Sequence, residues 1–197
     1  MNARLLRMAT VLLLLAGSLA ACSTAPPAPV FPELTYRYLG TMTFDTGPIE
    51  VVDEYQPPLK EPNIEHKVPV PPALAMRHWA LDRLAATGNP DRRGVFTIQQ
   101  AALTATRLQQ TEGLRGLVTN DQSERFELTL AARLELFEVR TRVGIATATV
   151  TRSRTVPENA TLNERDKILF DMVEGAMLDF NKEMEASIRR FLQPYMR

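Results

Sequence analysis

The 197-residue sequence is poor in the side chains that most often carry chemistry: one cysteine, two histidines and one tryptophan. A single cysteine excludes an intramolecular disulfide and a cluster of thiolate metal ligands. His66 and His78 stand in different segments, and no His/Asp/Glu spacing matches a metal site. There is no glycine-rich phosphate loop and no Gly-x-Ser-x-Gly elbow. We therefore expect no enzyme, no cofactor and no metal. Net charge is also missing, with 23 basic against 23 acidic side chains. That balance excludes the strong basic excess of a nucleic-acid binder. Nor is there an apolar run of the roughly 20 residues needed to span a bilayer.

What is present begins at the N-terminus. Arg4 and Arg7 precede an apolar stretch that is continuous over Val11–Leu15 and broken only by Thr10 between Met8 and Ala16. Gly17 and Ser18 follow, and then Leu19-Ala20-Ala21-Cys22. A positive start, a short apolar core and small residues before a cut describe a secretory signal. Leu19-Ala20-Ala21-Cys22 resembles the bacterial lipobox, and the lone cysteine falls at the one position that motif needs. The resemblance implies a signal peptide over residues 1–21, lipidation of Cys22 by palmitate-type acyl chains and a membrane anchor. One acyl chain holds a protein only marginally, whereas several hold it firmly. Ser23, in place of aspartate, implies the outer membrane, facing the periplasm. Cleavage would remove Arg4 and Arg7, leaving 21 basic residues (23 less two) against 23 acidic.

Eleven of the fourteen prolines lie at or before Pro72. The cluster from Pro26 to Pro32 predicts an extended tether over residues 22–35, reaching roughly 30 Å. The remaining 36–197 suit one domain around one core. Tyr36–Phe44 and Ile49–Tyr55, interrupted by Gly47-Pro48, predict one broken strand or two short ones. Gln56–Pro72 reads as an irregular crossing. Ala73–Thr87 predicts a helix stopped by Gly88, with Trp79 either a core anchor or a stacking platform for a ligand. In the strand predicted over Val95–Leu108, Phe96, Ile98, Ala102, Thr104 and Leu108 share one parity, with a bulge indicated at Gln99-Gln100. Arg125–Arg140 alternates cleanly, Phe126, Leu128, Leu130, Ala132, Leu134 and Leu136 on one face. Gly144–Thr155 predicts a third strand.

Thr161 with Glu164 forms a capping box ahead of a helix expected over Leu162–Leu192. That helix and the middle strand have similar lengths, so the helix should lie along that strand. The expected architecture is α+β: a curved antiparallel sheet in β-α-β-β-β-α order, with two helices packed on one face.

That order, behind a lipobox, resembles small envelope lipoproteins. They include the lipopolysaccharide-assembly lipoprotein and the auxiliary lipoproteins of ABC-type lipid-transport systems. A closer likeness, to an uncharacterised proteobacterial outer-membrane lipoprotein family, is carried by Trp79-Ala80-Leu81-Asp82-Arg83-Leu84, Gly113-Leu114-Arg115-Gly116-Leu117 and the segment from Ser153 to Arg165. The family has no assigned activity. The resemblance implies a non-enzymatic accessory or assembly component with an envelope protein partner. The alternative is a periplasmic lipid- or glycan-binding module, which requires an apolar cleft between helices and sheet.

Two surfaces are candidates for such work. The hairpin tip carries Leu114, Arg115, Leu117 and Val118 on a long loop, where they either dock a partner or membrane or fold back on themselves. Arg140, Arg142, Arg152 and Arg154 either converge as forks for an anionic headgroup or pair with nearby carboxylates. The acidic run Glu174, Asp179, Glu183 and Glu185 is expected to be a solvated helix face.

The lipobox reading generates the first prediction. The full chain should take up radiolabelled palmitate and partition with membranes. Cys22→Ala should lose the label and move to the soluble fraction; a Cys22→Ala chain that stays in the membrane pellet after a salt wash contradicts the anchor.

Overall fold

The computed structural model describes residues 30–108 and 122–197. Eight elements follow in order: β1 (Met42–Phe44), β2 (Ile49–Asp53), α1 (Pro72–Arg83), β3 (Leu84–Ala86), β4 (Arg92–Arg107), β5 (Gln122–Glu138), β6 (Thr141–Pro157) and α2 (Leu162–Phe191). They form an α+β fold with a four-stranded sheet, β2-β4-β5-β6, and a two-stranded one, β1-β3.

The alternation in β5 sets the main sheet. Phe126, Leu128, Leu130, Ala132, Leu134 and Leu136 are all buried. Both long neighbours pair antiparallel to β5. In β4 the register passes from Ile98↔Ala132 to Gln100↔Ala131, so Gln99 is the extra residue of a bulge. The bulge inverts the parity of everything after it. Phe96 and Ile98 face the core before it, and Ala101 and Leu103 after it. The single parity expected for Ala102, Thr104 and Leu108 is therefore corrected.

The sheet is mixed, not wholly antiparallel. β2 pairs parallel with β4, Ile49 opposite Gly94 through Asp53 opposite Ile98. The reason is the crossover: α1 lies between the two strands in the chain and returns β4 in the same direction. Farther along β4, the proline-rich crossing takes over the edge, Ile64 N–H donating to Leu103 C=O at 2.8 Å and Ala105 N–H to Pro62 C=O at 2.8 Å.

The first helix ends at Arg83, short of the expected Thr87. Leu84–Ala86 is drawn into β3, which pairs parallel with β1 from Met42↔Leu84 to Phe44↔Ala86. The chain's end joins the same cluster: Phe44 bridges Met196, and Arg197 N–H donates to Thr43 C=O at 3.0 Å.

α2 begins at the expected capping box, Glu164 N–H donating to Thr161 Oγ1 at 3.3 Å and Thr161 N–H to Glu164 Oε2 at 2.8 Å. Its apolar stripe, including Leu169, Met172, Val173, Ala176, Phe180, Met184 and Ile188, is buried. The helix lies chiefly over β6 instead of over the middle strand, while α1 lies over β4. Two helices, each about 10 Å across, share a sheet whose strands are about 4.8 Å apart, so each covers one half.

Trp79 sits where these layers meet, with no exposed surface. Its ring centroid lies 5.6 Å from that of Phe96 and 5.3 Å, edge-on, from that of Phe180. Its indole N–H donates to Asn181 Oδ1 at 2.9 Å. Trp79 is thus the core anchor and no ligand platform.

These contacts rank two substitutions. Asn181→Ala leaves the buried indole N–H unpaired and should cost about 2–3 kcal/mol. Thr161→Ala removes one solvated cap and should cost about 1 kcal/mol. Urea unfolding should place the Asn181 variant below the Thr161 variant; the reverse order would contradict this account of the core.

Candidate functional site

The chain leaves its N-terminal segment and meets the domain earlier than expected. Phe31 stacks on Phe170 of α2 with ring centroids 5.1 Å apart, and Leu34 and Tyr36 are buried. Residues 31–40 form a strap across the pair of helices, running in the direction of both. At its start Glu33 faces His78 at 3.3 Å. At its middle Tyr36 N–H donates to Asp82 Oδ2 at 2.8 Å and Arg37 Nε donates to Asp82 Oδ1 at 3.0 Å. At its end the Arg83 guanidinium donates to the carbonyls of Leu39 and Gly40 and, at 2.8 Å, to Glu185 on α2. The extended tether therefore gives way to packed structure before Tyr36. The Tyr36 phenol is pushed well above its usual range, first by burial and then by the charges of Tyr38, Glu174 and Asp82.

Phe31 also marks one end of the molecule. Exposed Leu162 stands in the first turn of α2, and two shallow depressions, about 430 and 550 Å³, open on either side of the Phe31 ring. The base of the β4–β5 hairpin lies at the same end. There Leu108 N–H donates to Ser123 C=O at 2.9 Å. Arg165 of α2 pairs with Glu124 and stands 4.8 Å over the Phe126 ring. One pole thus collects the incoming N-terminal chain, the root of the hairpin and the start of α2. Leu114, Arg115, Leu117 and Val118, and Leu19-Ala20-Ala21-Cys22, lie outside the described residues.

The four arginines do not converge. Arg142 and Arg152 belong to one uninterrupted strand, β6, and ten residues at about 3.3 Å each separate them by about 33 Å. The turn after β5 brings Arg140 near Arg142 only, beside the exposed Val139. Arg142 donates to Glu135 at 2.9 Å, a carboxylate shared with Arg133 at 2.9 Å. Burial would raise the Glu135 carboxyl, but its bonds to Arg142 and Arg133 outweigh that and lower it. Arg152 donates to Asp179 at 2.7 Å and lies across Gly175, where an added Cβ would meet its guanidinium. Two of the four are therefore held by carboxylates. Asp179 and Glu185, expected on a solvated face, hold Arg152 and Arg83. Arg154 is exposed near the pole of Phe31, with no ion pair among the described residues.

Trp79, Phe96, Phe180 and Met184 fill the middle of the helix–sheet interface. A small opening remains at the start of α1, between Pro72, Ala73 and Ala101 of β4. Phe31, Asp82 and Glu185 are the structurally important residues that sequence reasoning missed. An aromatic residue inside the proline-rich stretch was the available signal for Phe31.

No family model matches the chain, and no curated protein matches it. Among solved structures, rare lipoprotein B from Shewanella oneidensis is similar at 10% identity and a TM-score of 0.37, over 70% of this chain and 91% of that one. A minor lipoprotein from Acinetobacter baumannii is similar at 15% identity and 0.33, over 73% and 92%. A Xanthomonas campestris protein of family DUF330 is similar at 9% identity and 0.30, over 83% and 93%. Likeness at these scores carries no argument about the site.

The strap generates a pH prediction. Burial raises the Asp82 carboxyl, but the Tyr36 N–H and the Arg37 guanidinium outweigh it and hold the group below its usual value. A carboxyl depressed in the folded state stabilises above its unfolded pKa, about 3.9, and loses that contribution as pH falls through the lower folded value. Asp82→Asn should therefore lower the melting temperature at pH 7, with the gap to the parent narrowing in strong acid. An equal gap at both pH values would sink the electrostatic role of Asp82.

Proposed function

We propose that this chain is a non-enzymatic lipoprotein, anchored through Cys22 to the periplasmic face of the outer membrane, that serves as an accessory or assembly component of an envelope transport system. The observation that carries this reading is the stacking of Phe31 on Phe170. Phe31 follows Cys22 by only nine positions. A chain of that length can reach at most about 32 Å, so the pole of Phe31 stays within that distance of the lipid. No helix among the described residues is long and apolar enough to cross a membrane.

The same pole bears the root of the β4–β5 hairpin. Its tip, with Leu114, Arg115, Leu117 and Val118, is the proposed contact to an envelope protein partner. The opposite pole holds Arg140, Arg142 and the chain's C-terminus, and faces the periplasm. The lipid- or glycan-binding alternative needs a large apolar cleft between helices and sheet; Trp79, Phe96 and Phe180 occupy the middle of that space, and the opening at the start of α1, about 260 Å³, is below the usual size of such a site.

The test is co-purification of the full chain from detergent-solubilised membranes, against a chain with Leu114, Leu117 and Val118 changed to Ser. Loss of a reproducible membrane-protein partner in the variant supports the reading. Recovery of the same partner by both chains refutes the tip as the contact, and bound lipid in place of a partner favours the alternative.

A further inference from the structure

Glu65 is the only buried carboxylate among the described residues, 5% exposed. It lies in the short 3-10 turn Glu65–Lys67, between the end of β2 and the start of α1. Several partly buried acids hold a cation: Asp45 takes Arg92 and Arg197, Asp82 takes Arg37, Glu124 takes Arg165, and Glu135 takes Arg133 and Arg142. Glu65 has none within ion-pair distance among the described residues. Its bonds come from neutral donors: the Tyr55 hydroxyl at 2.7 Å and the Asn63 amide at 3.2 and 3.3 Å. Burial, followed by the bond to Glu65 and its charge, raises the Tyr55 phenol well above its usual range, so it remains a protonated donor to Glu65. A buried carboxylate with neutral partners only is costly to keep and attracts a positive charge.

Space for that charge adjoins it. Glu65 lines a cavity of about 260 Å³ whose walls are mostly apolar, built by Pro57, Pro71, Pro72, Ala73 and Ala101 with Tyr55. Asp53 and His66 also line the cavity, and both side chains are exposed. Asp53 Oδ1 accepts the Tyr55 N–H at 3.1 Å. His66 is beyond ion-pair distance of Glu65. The volume lies just under the roughly 300–1,000 Å³ of sites for larger ligands, so it suits a small group. Glu65 Oε1 already accepts two bonds and Oε2 one, which leaves a single lone pair, on Oε2, and no open face for the planar fork of a guanidinium. A compact ammonium takes one lone pair at a time.

We propose that this cavity binds a primary alkylammonium, with its head at Glu65 beside Tyr55 and its apolar stem between the prolines and Ala73. A lysyl side chain of a partner and a free polyamine present the same group. The site is independent of where the chain is anchored and of the hairpin tip.

The full chain in detergent micelles, isotopically labelled, would be titrated with n-butylammonium chloride at constant ionic strength and followed by amide NMR. Saturable shifts are expected at Asp53, Tyr55, Glu65 and Ala73. n-Butanol, the same stem without charge, should bind at least tenfold more weakly. Glu65→Gln should weaken the ammonium at least tenfold, and Asp53→Asn by less. Ala73→Leu, which fills the cavity and leaves both carboxylates in place, should abolish saturation; it decides the matter should Glu65→Gln fail to fold. Equal binding of alcohol and ammonium, or undiminished binding by Ala73→Leu, overturns the proposal. In parallel titrations, Nα-acetyl-lysine methylamide and spermidine distinguish the sources: the one that saturates at the lower concentration is the better match, and absence of saturation with every amine overturns the site.

Discussion

Three strands of 16 or 17 residues present one apolar face that has to be covered, and that requirement governs the rest of the chain. Side chains at period two along a strand of that length expose far more apolar surface than a short helix can bury. α2 answers with 30 residues and an unbroken stripe, but one helix covers only half of a four-stranded sheet. α1 covers the other half, and Trp79 fills the seam between the two helices and β4. The strap of residues 31–40 then closes the outer groove of the helix pair.

Burying so much apolar surface leaves little room for polar groups, and those that remain are informative. Asn181 is buried because it accepts the Trp79 indole N–H. Arg83 is buried because it gathers two strap carbonyls and Glu185, which ties the N-terminal segment, α1 and α2 at one point. Both belong to the fold's own architecture. Glu65 differs, since its partners are neutral and an apolar cavity lies beside it. The contrast distinguishes a group that holds the structure together from one available to a ligand.

The geometry also gives the molecule two ends with different character. Phe31, the hairpin root and the start of α2 share one end, next to the segment that leads to Cys22. The turn between β5 and β6, with Arg140 and Arg142, is separated from Arg152 and Arg154 by more than half the length of β6. A strand is stiff and extended, so residues close in sequence to its two ends cannot meet. That is why an arginine cluster expected from the turn and the strand parity does not exist as one site.

Local pattern determined a great deal here. The alternation of β5, the bulge at Gln99 and the Thr161–Glu164 cap are visible in the sequence because each depends on residues within a few positions. The α+β class and the pair of helices on one face follow from those patterns, as does the likeness of Leu19-Ala20-Ala21-Cys22 to a lipobox. Tertiary structure decided the rest, because the deciding partners are distant in sequence. The parallel pairing of β2 depends on where α1 returns the chain, and the early end of α1 depends on β1. The packing of Phe31 depends on Phe170, and the isolation of Glu65 depends on which cations other elements placed elsewhere. Periodicity reports which face of an element is apolar; only the packed chain determines what each face meets.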